Sequence, residues 1–95
     1  MVVEVDQMIA AAFEVVPQVE SVYVNHDNTG TVNVSIFINE ADENVYDRIY
    51  SQEIELEKRA HEIMFDFTVI ARRNRPIQEF VGSDTPAWER RASTD

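Results

Sequence analysis

Cysteine is absent from this 95-residue chain. That excludes a disulfide framework and any thiolate zinc site, and leaves stability to packing alone. Glycine is almost absent as well, with only Gly30 and Gly82. Neither belongs to a Gly-x-Ser-x-Gly nucleophile elbow, and both read as turn residues. Histidine is limited to His26 and His61. Neither has a helical i, i+4 ligand partner, so both read as surface groups, with His61 well placed near a helix C-terminus, and no metal or cofactor is expected. No stretch approaches the roughly 20 apolar residues of a membrane span, and Met1 to Asp6 lack the basic region and apolar run of a secretory signal. The chain is expected to be soluble, unprocessed and cytoplasmic, with no membrane partner. There is no internal repeat and no low-complexity tract.

Positive charge is scarce: 8 Lys and Arg stand against 18 Asp and Glu, a formal net charge of −10. Residues 1–71 hold 14 acids against Arg48, Lys58 and Arg59, whereas residues 72–95 hold 4 acids against 5 arginines. So acidic a body repels phosphate backbones, and no nucleic-acid partner is expected. A solvated acidic surface is the simplest reading of the charge. The 44% hydrophobic content suffices for one core and predicts a single domain over residues 1–95.

Val5, Met8, Ile9, Ala12, Phe13 and Val16 follow the i, i+3, i+4, i+7 spacing of one helical face, up to Pro17. Val19 to Asn25 then alternates, with Val22 and Val24 on one side and Ser21 and Tyr23 on the other. The turn-forming run His26-Asp27-Asn28-Thr29-Gly30 implies a hairpin. In the next strand Val32, Val34, Ile36 and Ile38 make the buried face, and Asn33, Ser35, Phe37 and Asn39 the opposite, mostly polar one. Asp42 is a fitting N-cap for a second, acidic helix through Val45, Ile49, Leu56 and Ala60, ending near His61 and interrupted by Gln52 and Glu53. Within it, Glu55 and Arg59 have the spacing of an i, i+4 pair. Phe65, Phe67, Val69 and Ala71 alternate with Asp66, Thr68 and Ile70 in a third strand.

A strand-helix-strand step within one sheet is parallel, which predicts strand three beside a central strand two. Ile77 to Val81 predicts a short helix stopped by Gly82. Either Asp84 to Trp88 cap another helical turn or Trp88 leads a short edge strand, and Arg91 to Asp95 are expected to fray. The predicted fold is α+β: a two-layer α/β sandwich of order α-β-β-α-β plus a short C-terminal element, with a mixed three- to four-strand sheet and helices on one face.

This order, with Val22-Tyr23-Val24, Asn33-Val34-Ser35-Ile36 and Phe65-Asp66-Phe67 in successive strands, resembles the minimal nucleotidyltransferases of the DNA polymerase β superfamily. The resemblance spans about residues 5–90. It implies a Gly-Ser motif after strand one, an Asp-x-Asp pair on strand two and a further Asp on strand three, together holding catalytic divalent metals. Here those positions carry Asn25-His26, Asn33 with Ser35, and Asp66. A single acid with neutral neighbours cannot offset the dehydration of magnesium, so the resemblance implies a degenerate site made of Asn33, Ser35 and Asp66, without catalysis.

Three further groups are candidates for contact. Asp66 reads either as a half-exposed acceptor for Thr68, Ser35 or water, or as the remnant of a site. Arg72, Arg73 and Arg75 read either as a solvated turn or as a contact for an anion or an acidic partner, including the second helix of another copy. Tyr23 and Phe37 exceed what solubility requires on an open sheet face, and read either as an oligomer contact or as covered by the tail, with Trp88 the expected cover. The expected function is a non-catalytic interaction or accessory module whose partner is a protein, its own copy included. The alternative is residual nucleotide binding or nucleotidyltransferase-like activity through Asp66 and the three arginines.

Overall fold

The computed structural model describes residues 2–90; the expected fraying of Arg91 to Asp95 lies outside the described residues. Helix α1 (Val2–Glu14) buries Ile9 and Phe13 completely. It stops before the expected limit at Pro17, because a residue preceding proline is pushed out of helical geometry. Val16 nevertheless stays buried, in a turn where its N–H donates to Phe13 O at 3.1 Å.

Strands β1 (Ser21–His26) and β2 (Thr31–Ile38) form the predicted antiparallel hairpin, with Val22 opposite Ile36 and Val24 opposite Val34. Helix α2 (Glu43–Arg59) begins where Asp42 accepts hydrogen bonds from Asn44 N at 2.8 Å and Val45 N at 3.3 Å, satisfying two otherwise orphaned donors. Strand β3 (Met64–Ala71) runs parallel to β2, with Val34 beside Phe67 and Asn33 beside Asp66. A four-residue helix α3 (Gln78–Val81) ends at Gly82, whose φ of 63° is the left-handed conformation glycine adopts without strain. Strand β4 (Trp88–Glu89) then pairs antiparallel with β1. The sheet order is β3-β2-β1-β4, with β2 an interior strand as the crossover argument required.

One face of the sheet presents Val22, Val34, Ile36 and Ile38 to Ile9 and Phe13 of α1 and to Ile49 and Leu56 of α2. Phe65, Phe67, Val69 and Ala71 extend this core along β3. Each large apolar side chain withdrawn from water there contributes about 1.5–3 kcal/mol, the main favourable term available to a chain without disulfides. The opposite face is not simply polar. Phe37 is fully buried on it, because Phe80 of α3 closes over its ring. The two long helices thus cover one face and the short α3 rests on the other. Among the described residues, no helix is long and apolar enough to cross a membrane.

Candidate functional site

The outer face of the sheet collects most of the residues that the sequence singles out. The antiparallel register sets Tyr23 across from Ser35 and Asn25 across from Asn33. The parallel register sets Asp66 beside Asn33 and Thr68 beside Ser35. Strand alternation turns all of these side chains away from the helices. Asn33, Ser35 and Asp66 therefore share one face. Asp66 is exposed on the flank and takes no side-chain hydrogen bond among the described residues.

A carboxylate that the strand patterns do not reveal sits at the hairpin. Asp27 Oδ1 accepts from Thr29 N at 2.8 Å, Thr29 Oγ1 at 2.6 Å and Thr31 N at 3.1 Å. Its Oδ2 accepts from Asn33 Nδ2 at 3.1 Å. These bonds, the Thr29 hydroxyl first and the Asn33 amide next, hold the Asp27 carboxyl down at about 2. The only sequence signal was the turn composition of Asp27 to Gly30. Its charge is committed to the hairpin and to Asn33. Among the described residues, no group of three or more His, Cys, Asp or Glu side chains is arranged to hold a metal ion.

Tyr23 and Phe37 meet edge to face with ring centroids 5.5 Å apart, and Phe80 meets Phe37 in the same way at 5.7 Å. Trp88 does not cover them, contrary to the sequence expectation. It lies across β1 from Val22, on the helix-bearing face, where it packs against the main core. A two-residue strand has too little pattern to declare its face; only the register with Val22 decides it. Arg90 follows directly. Its Nε donates to Val19 O at 3.0 Å, its Nη2 to Glu14 O at 2.9 Å and Val16 O at 3.0 Å, and its guanidinium carbon lies 4.8 Å from the centre of the Trp88 ring. That side chain pins β4 to the C-terminal turn of α1, where cations are favoured.

The arginines after β3 do not act as one cluster. Arg72 makes a two-pronged contact with Glu20, with Nη2 to Oε2 at 3.1 Å. Hydrogen bonding from Glu20 raises the Arg72 pKa above its usual value. Arg75 pairs with Glu79 through Nε at 2.8 Å and lies over Phe80 at 5.2 Å. Arg73 and Asn74 adopt left-handed φ values of 52° and 66°, in a turn where Arg72 Nη1 also donates to Arg75 O at 3.1 Å. Arg73 forms no ion pair among the described residues. Glu55 and Arg59, expected to pair along α2, form no ion pair there either.

Between the outer face and the α3–β4 segment lies a cleft of about 420 Å³. Tyr23, Asn33, Ser35, Phe37, Phe80 and Asp84 line it, and neither Asp66 nor any arginine does. Burial, then the charges of Glu89 and Asp84, raise the Tyr23 hydroxyl above its usual value.

Comparison with known proteins returns no matching family model and no matching curated protein.

Proposed function

We propose that this chain is a non-catalytic interaction module that binds a protein partner, a second copy of itself, along the open edge of β3. The observation that carries this reading is a long, sparsely guarded edge. β3 is an edge strand of the sheet, eight residues long, with no proline or lysine and with Asp66 as its single charged side chain. Met64 at its start is 69% exposed.

The flank of α2 turned away from α1 adds two tyrosines to the available surface. Gln52, Glu55 and Arg59 line the groove against Ala11, Ala12 and Val15 of α1. Helical spacing therefore directs Tyr46 and Tyr50 to the other side, on one stripe with Glu53 and Glu57. Their rings stack 6.4 Å apart, and Tyr50 is 51% exposed. The strand is also self-complementary. A twofold axis at Phe67 sets Phe65 against the second copy's Val69 and Asp66 against its Thr68, so no like charges stand directly opposite and the two Asp66 side chains are diagonal neighbours.

The scaffold reads as a degenerate relative of the minimal nucleotidyltransferases. Asn33 and Ser35 stand where the resemblance calls for acids, and Asp27 gives its charge to Thr29, Thr31 and Asn33. Residual nucleotide binding through Asp66, Arg72, Arg73 and Arg75 has less support. Arg72 and Arg75 are occupied by Glu20 and Glu79, and none of the four lines the cleft. Sedimentation equilibrium over a wide concentration range tests the proposal: mass should rise with concentration, and Met64→Lys combined with Tyr50→Lys should abolish the rise without unfolding the chain.

A further inference from the structure

We infer that the cleft on the outer face is a binding site for an organic cation, an alkylammonium or alkylguanidinium group, either free or at the end of a lysine or arginine side chain. This goes beyond the edge-pairing reading and does not depend on it, because the cleft opens on the face opposite the helices.

The volume of about 420 Å³ is within the span of small-ligand sites, about 300–1,000 Å³. Three aromatic rings border it: Phe37 is fully buried beneath, Phe80 already carries Arg75 over its ring at 5.2 Å, and Tyr23 is half-buried. The face of the Tyr23 ring attracts a cation and accepts the alkyl stem that carries the charge. The polar lining offers acceptors as well as donors. Asn33 uses one of its two Nδ2–H donors on Asp27, a carboxylate held ionised in the hairpin, which leaves its carbonyl oxygen free to accept. Asp84 stands exposed on the rim with no ion pair among the described residues. Its charge and that of Glu89 both bear on Tyr23.

No lysine or arginine lines the cleft, so no lining group neutralises a bound phosphate, whereas a donor-rich cation finds the Asp84 carboxylate there together with amide and hydroxyl oxygens. The net charge of −10 draws cations toward the surface from a distance.

The test is a titration of isotope-labelled full chain, followed by NMR, with agmatine and with the N-acetylated tripeptide amide Gly-Arg-Gly. Both probes should give saturable shifts concentrated at Tyr23, Asn33, Ser35 and Asp84. Asp84→Asn, a change at an exposed position, should weaken them about fivefold, the scale of one surface charge pair. Tighter binding of the peptide assigns the site to a partner's side chain, and tighter binding of agmatine assigns it to a free amine. Equal shifts with the uncharged N-acetyl-Gly-citrulline-Gly amide would overturn the inference. So would saturable shifts at the same residues with ATP and magnesium, or no saturation by either cation in protein whose spectrum stays dispersed. The Met64→Lys, Tyr50→Lys variant should bind agmatine as the parent does, which separates failure at the cleft from failure at the β3 edge.

Discussion

Phe80 lies edge to face on Phe37 with ring centroids 5.7 Å apart, and this contact is what closes the outer face of the sheet. Phe37 is fully buried and Phe80 is 38% exposed, so their truncations should differ in cost. Phe37→Ala should destabilise the fold by about 3–5 kcal/mol and Phe80→Ala by about 1–2 kcal/mol. Urea unfolding of both variants checks the order. Equal costs would mean that α3 is not the lid over Phe37.

Asp27→Asn should lower stability near neutral pH, because the hairpin loses an ionised acceptor of four hydrogen bonds. The folded-state value of about 2 lies below the ordinary 3.8, so the carboxylate stabilises the fold above pH 3.8 and loses that effect as pH falls toward 2. The gap between variant and parent in urea midpoint should therefore narrow over that interval. A gap independent of pH would point to packing rather than charge.

Glu53 has the opposite sign. Burial first, and then the neighbouring charge of Glu57, raise its carboxyl from 4.5 to about 7. The folded chain thus holds a proton that the unfolded chain has released, and Glu53 costs stability as pH rises from 4.5 through 7. Glu53→Gln should stabilise the protein at pH 8 by about 1 kcal/mol, discounted for its residual exposure, and change little at pH 4.5. Thermal melts at the two pH values read this directly.

Arg90→Ala should release β4 from α1, since one guanidinium serves the carbonyls of Glu14, Val16 and Val19. The expected cost is about 1–3 kcal/mol, with the amides of Ala87 and Arg90, which bond Val22 O and Glu20 O, losing hydrogen-exchange protection first. Arg90→Lys should recover less than half of that loss, because an ammonium lacks the planar fork that spans separate acceptors.

Period-two alternation made the faces of β1, β2 and β3 legible in the sequence. One misplaced step would turn Val34 outward and Ser35 inward, and the pattern leaves no such register. Asp42 announced α2, and the apolar stripe of Val45, Ile49 and Leu56 broke at Glu53, the residue whose carboxyl burial perturbs. The far side of the sheet was harder to read. Four residues of α3 are too few to show which face Phe80 covers, and two residues of β4 cannot show where Trp88 points. The side-chain bonds of Arg90 end on backbone carbonyls, which carry no sequence signature. Arg72 and Arg75 turn to different acids, Glu20 and Glu79, and the first of these lies 52 residues away in sequence, a tertiary contact that the composition of the turn does not show.

The most direct measurement is sedimentation equilibrium of the purified full chain from about 1 µM to about 500 µM, a span that covers weak and moderate specific association. Pairing along β3 predicts a mass that climbs from 11.0 kDa toward twice that value, and a Met64→Lys, Tyr50→Lys variant that stays at 11.0 kDa. A single 11.0 kDa species for the parent at every concentration would contradict it.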